Sequence, residues 1–208
     1  MSTFDWIVAA IVVVSLVYVS FVLTLRDWFS ALRKGQAVTL LPERSGHRRW
    51  PLWTQVAIIL LGLALCVPLF YYGWIPLFVL PANTARILAI LGLLFYSAGT
   101  AFMLWARRTL GKYWGLSTSQ NVKLLDEHEL IQGGAYTYVR HPMYFGWWVA
   151  MLGLTLVYPV WAIFLLFFFS LISFSGRARR EEAALAQRFG AQWTEYKKHA
   201  KMLIPFIF

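Results

Sequence analysis

Two short polar clusters carry the residue types from which a reaction could be built. Residues 133–144 read Gly-Gly-Ala-Tyr-Thr-Tyr-Val-Arg-His-Pro-Met-Tyr, and residues 176–182 read Gly-Arg-Ala-Arg-Arg-Glu-Glu. The candidates within them are Arg140, His141, Tyr144, Arg177, Glu181 and Glu182. An arginine fork grips a carboxylate through two parallel hydrogen bonds. One carboxylate can neutralise an ammonium while another takes up a proton, and a tyrosine offers a wall and a hydrogen bond together. Each residue also has a plainer use. Arg140 and His141 would serve as interfacial cations, and Pro142 sits well in a first helical turn, where a missing N–H costs nothing. Tyr144 would fit an aromatic belt, Arg177, Arg179 and Arg180 the positive flank of a membrane span, and Glu181 and Glu182 a solvated helix face. Their order sets them apart. One apolar block, Met143 to Ser175, separates the clusters, and a block folded as a hairpin returns both ends to one side.

The elements that must position these groups are membrane helices. The chain has 208 residues, 60% hydrophobic and 13% charged, whereas ordinary soluble domains are roughly 25% charged. Apolar runs near the ~20 residues needed to cross a bilayer predict an all-α, polytopic integral membrane protein. The net charge of +10 would suggest nucleic acid in a soluble protein. Here it follows from topology, so nucleic acid is not expected as a partner. The single cysteine, Cys66, lies in an apolar run and builds no disulfide framework. No Cys/His spacing suggests a metal site.

Five crossings are predicted in one membrane-embedded domain, 1–208. Three fall in residues 1–106, and residues 107–208 hold the cofactor-binding and catalytic region. Phe4 to Leu25 is apolar with no Lys or Arg before Arg26, which reads as a retained span and not as a signal peptide. A second span runs from Pro51 to Tyr72 and a third from Thr84 to Ala106. Met143 to Ser175, at about 50 Å as one straight helix, exceeds the hydrocarbon core. A break at Pro159 makes it two antiparallel helices. A separate helical tail, 177–201, follows. It has an apolar stripe at Leu185, Phe189, Trp193 and Tyr196 and an interruption at Gly190; packing against the loops or the membrane surface accounts for the stripe.

Positive charge orients the chain. Six Lys and Arg fall in residues 26–51, five in 107–140 and seven from Arg177 onward, with none in 73–83 or at the Pro159 turn. The expectation is an N-terminus outside and a C-terminus in the cytoplasm, in the plasma (inner) membrane if the source is bacterial. Both clusters then face the cytoplasm, with Lys197, Lys198 and Lys201 among anionic headgroups of the membrane lipids.

The order of motifs is itself informative. Gly134, Tyr136, Arg140, His141, Pro142, Tyr144 and Gly146 are followed, past the hydrophobic block, by Arg177, Glu181, Glu182, Leu185, Phe189, Gly190, Trp193 and Tyr196. This succession closely resembles the isoprenylcysteine carboxyl methyltransferase family. It is similar, more distantly, to the membrane phospholipid N-methyltransferases. The closing Lys-Met-Leu-Ile-Pro-Phe-Ile also looks like the family's C-terminal stretch. Trp193 departs from the tyrosine more usual in the family but keeps an aromatic. Residues 1–106 resemble the family only in being transmembrane.

The resemblance implies a methyltransferase that uses S-adenosyl-L-methionine without a Rossmann domain; no Gly-x-Gly-x-x-Gly follows a strand-like run here. Carried over position by position, the cofactor pocket would be Asn121, His128, Glu129, Leu130, Ile131, Tyr136, His141, Pro142, Met143, Tyr144 and Glu181. Arg177 matches the family's substrate-contacting arginine, and Arg140, Arg177 and Glu182 are the candidate catalytic groups. Glu181 would face the cofactor's ammonium, and either His141 or Arg140 its carboxylate. His128 would bind adenine or only cap the loop. The acceptor would be a lipidic or prenylated small substrate entering from the bilayer. A carboxylate acceptor needs no base, whereas a phosphatidylethanolamine amine would need Glu182 to take its proton. A non-catalytic scaffold of the same fold is the alternative outside the enzymes, and an intact pocket argues against it.

Overall fold

The computed structural model describes residues 3–19, 72–113 and 129–205, together with Arg26, Trp53, Thr54, Ala57, Leu60, Leu61, Ala64 and Ile207. Four α-helices account for most of them: α1 (Thr3–Val17), α2 (Ala82–Leu110), α3 (Pro142–Val157) and α4 (Trp161–His199). No strand occurs among the described residues, only two isolated bridges, Pro76 with Val160 and Val139 with Lys201. The expected helical class is therefore observed. Two helices, α2 with 29 residues and α4 with 39, are long and apolar enough to cross a membrane; α1 and α3 are shorter apolar helices. The expected span at Pro51–Tyr72 lies almost wholly outside the described residues.

The chain divides into two compact units, Met1–Val56 with Ser119–Asn121, and Ala57–Thr118 with Val122–Phe208. The first contains α1. Asp5 lies in its first turn, where a negative charge suits the helix dipole. The Ser15 hydroxyl donates back to Ile11 O at 2.8 Å, which removes the one polar side chain in that turn from the apolar surroundings.

The second unit holds both clusters. Its helices α2 and α3 approach closely through glycine. A Cβ on Gly92 would stand 2.6 Å from Gly153 O, and one on Gly146 would stand 2.8 Å from Gly99 O. Two glycines seven residues apart on each helix thus leave no room for a side chain, as is common where membrane helices pack. Pro142 opens α3 at a position that needs no N–H. Pro159 ends the pairing of helical residues between α3 and α4, and Tyr158 before it takes an extended conformation, φ −125° and ψ 85°. The turn is stitched to residues 75–77: Leu77 N donates to Pro159 O at 2.8 Å and Trp161 N to Ile75 O at 3.1 Å.

Helix α4 differs from expectation. The charged tail is not a separate helix, because α4 runs from the apolar half through Gly176 and the Glu181-Glu182 pair, with non-helical angles only at Gly190 (φ 50°, ψ −116°). One interior glycine costs a helix only about 1 kcal/mol, and alanine, arginine and glutamate around it favour the helix. Likewise α2 continues past Ala106 to Leu110. The outward faces are apolar: Ile87, Leu94, Phe168, Phe169 and Ile172 are all exposed. In water such exposed apolar faces would be adhesive; against lipid they are in their own solvent.

Candidate active site at the junction of α3 and α4

Residues 129–141 form the approach to α3. Gly134 takes a left-handed φ of 58° and lies so close to α2 that a Cβ would stand 2.6 Å from Thr109 Oγ1. A single 3-10 turn, Gly134–Thr137, follows, with Ala135 and Val139 fully buried. The Tyr136 carbonyl accepts a hydrogen bond of 2.6 Å from the Tyr196 hydroxyl of α4. The backbone of the motif then lies alongside the chain's end: Arg140 N donates to Lys201 O at 2.8 Å and His141 N to Met202 O at 3.1 Å. The apolar stripe of α4 supports this from beneath. Trp193, Tyr196 and Ala200 form a buried cluster, with Leu185, Phe189 and Leu130 packed against it.

All six residues of the two polar clusters meet in one ionic network. Arg140 Nε donates to Glu182 Oε1 at 2.6 Å, its Nη1 donates to Ala200 O, and its guanidinium lies over the Trp193 ring, 5.8 Å from the centroid. His141 stands between the two carboxylates, with Nδ1 3.4 Å from Glu181 and Nε2 3.6 Å from Glu182. Its ring stacks on Tyr144 at 5.7 Å and 12°. The Tyr144 hydroxyl donates to Glu181 Oε1 at 2.7 Å, and Arg177 Nε donates to the same oxygen at 3.0 Å. Tyr144 stacks in turn on Phe174 at 4.8 Å.

The electrostatics follow from this crowding. Burial opposes charge on His141, but the neighbouring carboxylates of Glu181 and Glu182 outweigh it, and its pKa is raised. Burial likewise works against an ionised Glu181, and His141, Tyr144 and Arg177 more than reverse it. At Glu182 the same contest, won by His141 and Arg140, leaves the carboxyl at about 2. Arg140, His141 and Arg177 thus face the two carboxylates of Glu181 and Glu182 in one network. His141 Nε2 is buried and makes no hydrogen bond; its neighbour is the Glu182 carboxylate at 3.6 Å.

The remaining expected residues distribute as follows. Pro142 is fully buried at the start of α3, Met143 half-buried beside it, and Tyr136 half-buried above. Leu130 packs into the Trp193 cluster, Ile131 is half-buried, and Glu129 is exposed. Asn121 and His128 lie outside the described residues. Three participants carry no side-chain signal, since Ala200, Lys201 and Met202 contribute backbone carbonyls. Only the likeness of the closing residues to a family's C-terminal stretch pointed there.

Several known proteins are similar to this chain in sequence. The chain is 34% identical over 125 residues to the protein-S-isoprenylcysteine O-methyltransferase of Saccharomyces cerevisiae, covering 59% of this chain and 51% of that protein. To the protein of the same name from Homo sapiens it is 32% identical over 131 residues, 58% of this chain and 42% of that protein. To that from Dictyostelium discoideum it is 38% identical over 90 residues, 39% and 35% respectively. The matches therefore span about half or less of these relatives. Residues 88–187, from within α2 through α3 to the Glu181-Glu182 pair, match the isoprenylcysteine carboxyl methyltransferase (ICMT) family, the family that the Arg-His-Pro and Glu-Glu motifs resemble.

Proposed function

We propose that this chain transfers a methyl group from S-adenosyl-L-methionine to the carboxylate of a prenylated cysteine at the cytoplasmic surface of a membrane. The observation that carries the reading is the state of Glu182. Methylating an amine requires a base to accept its proton, and a useful base has a pKa near the working pH. Glu182 is bound to Arg140 at 2.6 Å and held at about 2, which makes it a poor one. Glu181 already accepts hydrogen bonds from Tyr144 and Arg177. A carboxylate acceptor is ionised at neutral pH and needs no base, and the Arg177 guanidinium suits it.

The residues present fit the cofactor. It brings an ammonium, a carboxylate, a sulfonium and an adenine, and supplies an electrophilic methyl group when bound. Glu181 is the anion for the ammonium. His141 Nε2, which makes no hydrogen bond within the network, is a donor for the carboxylate, while Arg140 holds Glu182 at 2.6 Å. Tyr136 and Tyr144 offer aromatic walls, and a tyrosine face attracts a sulfonium. Glu129, Leu130, Ile131, Pro142 and Met143 complete the part of the proposed pocket that falls on described residues. Arg177 orients the acceptor's carboxylate with its fork. What these groups contribute is alignment of donor and acceptor in a site poor in water.

The test is methyl transfer from labelled S-adenosyl-L-methionine by the purified protein. N-acetyl-farnesylcysteine should become a labelled ester that base hydrolyses, while phosphatidylethanolamine should stay unlabelled. Label on the lipid amine alone would replace carboxyl by amine methylation. No saturable cofactor binding would remove the enzyme reading altogether.

A further inference from the structure

The segment after α4 has a structural task that the proposed pocket leaves unexplained. Beyond the helix end at His199, residues 200–203 turn back and run beside residues 139–141 as a short parallel pairing. The carbonyls of Lys201 and Met202 take the backbone N–H groups of Arg140 and His141, and the Ala200 carbonyl takes the Arg140 guanidinium. On its other side the His141 carbonyl accepts from Tyr144 N at 3.1 Å and Phe145 N at 3.3 Å. Both backbone groups of the histidine are therefore tied, one to α3 and one to the chain's end.

The side chains of this segment are not incidental. Met202 and Leu203, the latter 1% exposed, are buried in a cluster with Trp148 of α3 and Ala178 of α4. Tyr144, Trp147, Phe167, Leu171 and Phe174 pack around it. Ala178 lies three and four residues before Glu181 and Glu182 on the same helix, so the side chain of Leu203 fills the wedge from which both carboxylates and the Tyr144 ring project.

We propose that Leu203, with Met202, is a positioning residue: anchored between α3 and α4, it holds the His141 backbone at the depth that places the imidazole between Glu181 and Glu182. The groups facing that ring are Glu181 and Glu182 from α4 and Tyr144 from α3, with Arg140 and Arg177 paired to the carboxylates; the segment itself brings no charge to it. A core filler with no such role would lower stability wherever it was removed. A positioning residue changes the environment of His141 in particular. The inference rests on the proposed pocket only for its effect on catalysis.

The test compares the full chain in detergent carrying Leu203→Ala, Leu203→Met or, as a control, Ile163→Ala, a buried residue in the apolar half of α4. The His141 titration, followed by NMR of selectively labelled histidine, is the primary readout. Leu203→Ala should move its midpoint back toward the ordinary 6.5 and lower kcat/KM for the prenylated acceptor roughly tenfold to a hundredfold, the usual reach of a small misplacement. Leu203→Met, which conserves volume, should restore both. Ile163→Ala should lower the Tm and leave the His141 midpoint in place. Should Leu203→Ala not fold, Leu203→Val supports the same comparison. An unchanged midpoint in the folded Leu203 variant, or an equal change in Ile163→Ala, overturns the proposal. A shifted midpoint in a protein that binds no S-adenosyl-L-methionine at all upholds the positioning role and discards the proposed function.

Discussion

His141 concentrates the electrostatics of the site, and it yields the sharpest residue-scale expectation. Its pKa is raised in the folded chain, so its ionic contribution to stability is complete below the ordinary 6.5 and is lost as pH rises through the raised value. Glu182 has the opposite sense: its contribution is complete above the ordinary 4.5 and is lost as pH falls toward about 2. The network should therefore be most stabilising between these ordinary values, and unfolding by denaturant measured against pH should show a plateau there. Glu182→Gln removes one of the two carboxylates beside the ring. It should lower the His141 midpoint, remove the acid-side loss that belongs to Glu182 and complete the alkaline-side loss at a lower pH; an unchanged midpoint would detach the histidine from Glu182. The residue types of this network were legible in the sequence because charged groups beside apolar runs are few. Their pairing was not. Arg177 and Glu181 were expected on one helix face with separate duties, yet they touch at 3.0 Å, and Arg140 is occupied by Glu182 and a backbone carbonyl. Spacing along a helix places side chains on a face without saying which partner satisfies them.

At the scale of elements, glycine does two opposite things in this unit. Gly99 is at a helix crossing, where an added Cβ would come within 2.5 Å of Gly146 O. Gly176 is inside α4 with nothing nearer to an added Cβ than Arg180 Nη1 at 3.7 Å. Gly99→Val should therefore destabilise by about 1–3 kcal/mol through overpacking, whereas Gly176→Ala should stabilise by about 0.5–1 kcal/mol through helix propensity. Thermal unfolding in one detergent gives both signs. A neutral Gly99→Val would show that α2 and α3 separate more readily than their packing implies. The break at Pro159 was readable from sequence because proline removes a donor and constrains its predecessor. The continuity of α4 through Gly176 was not, since a glycine after an apolar run reads equally as a cap. The length of α4 matters for function: the apolar half seats it, and the same rigid helix carries Glu181 and Glu182 beyond the apolar stretch.

For the whole molecule, the distribution of charge and the apolar surface make separate demands that one arrangement in a membrane meets. Phe169 on α4 is 66% exposed and Val79, in the segment before α2, is 91% exposed, values that suit lipid or its boundary better than bulk water. Positive charge gathers in residues 26–51, 107–140 and from Arg177 onward, and is absent from 73–83. Transport of a Lys- or Arg-rich loop across a membrane is disfavoured, so the charged segments are expected in the cytoplasm and 73–83 outside. The ionic network would then face the cytoplasm, where the proposed methyl donor and acceptor would have to meet it. Single cysteines in a Cys66→Ser background test this directly. Lys198→Cys, on an exposed position of α4, should react with an impermeant maleimide only after the cytoplasmic face is opened. Val79→Cys should react in intact cells. The two reagents report on opposite ends of the charge pattern, so a common inversion would reverse the orientation while leaving the site intact. Labelling of both from the same face would instead mean that the number of crossings between them is even, and that the charge-free 73–83 segment does not mark an outer turn.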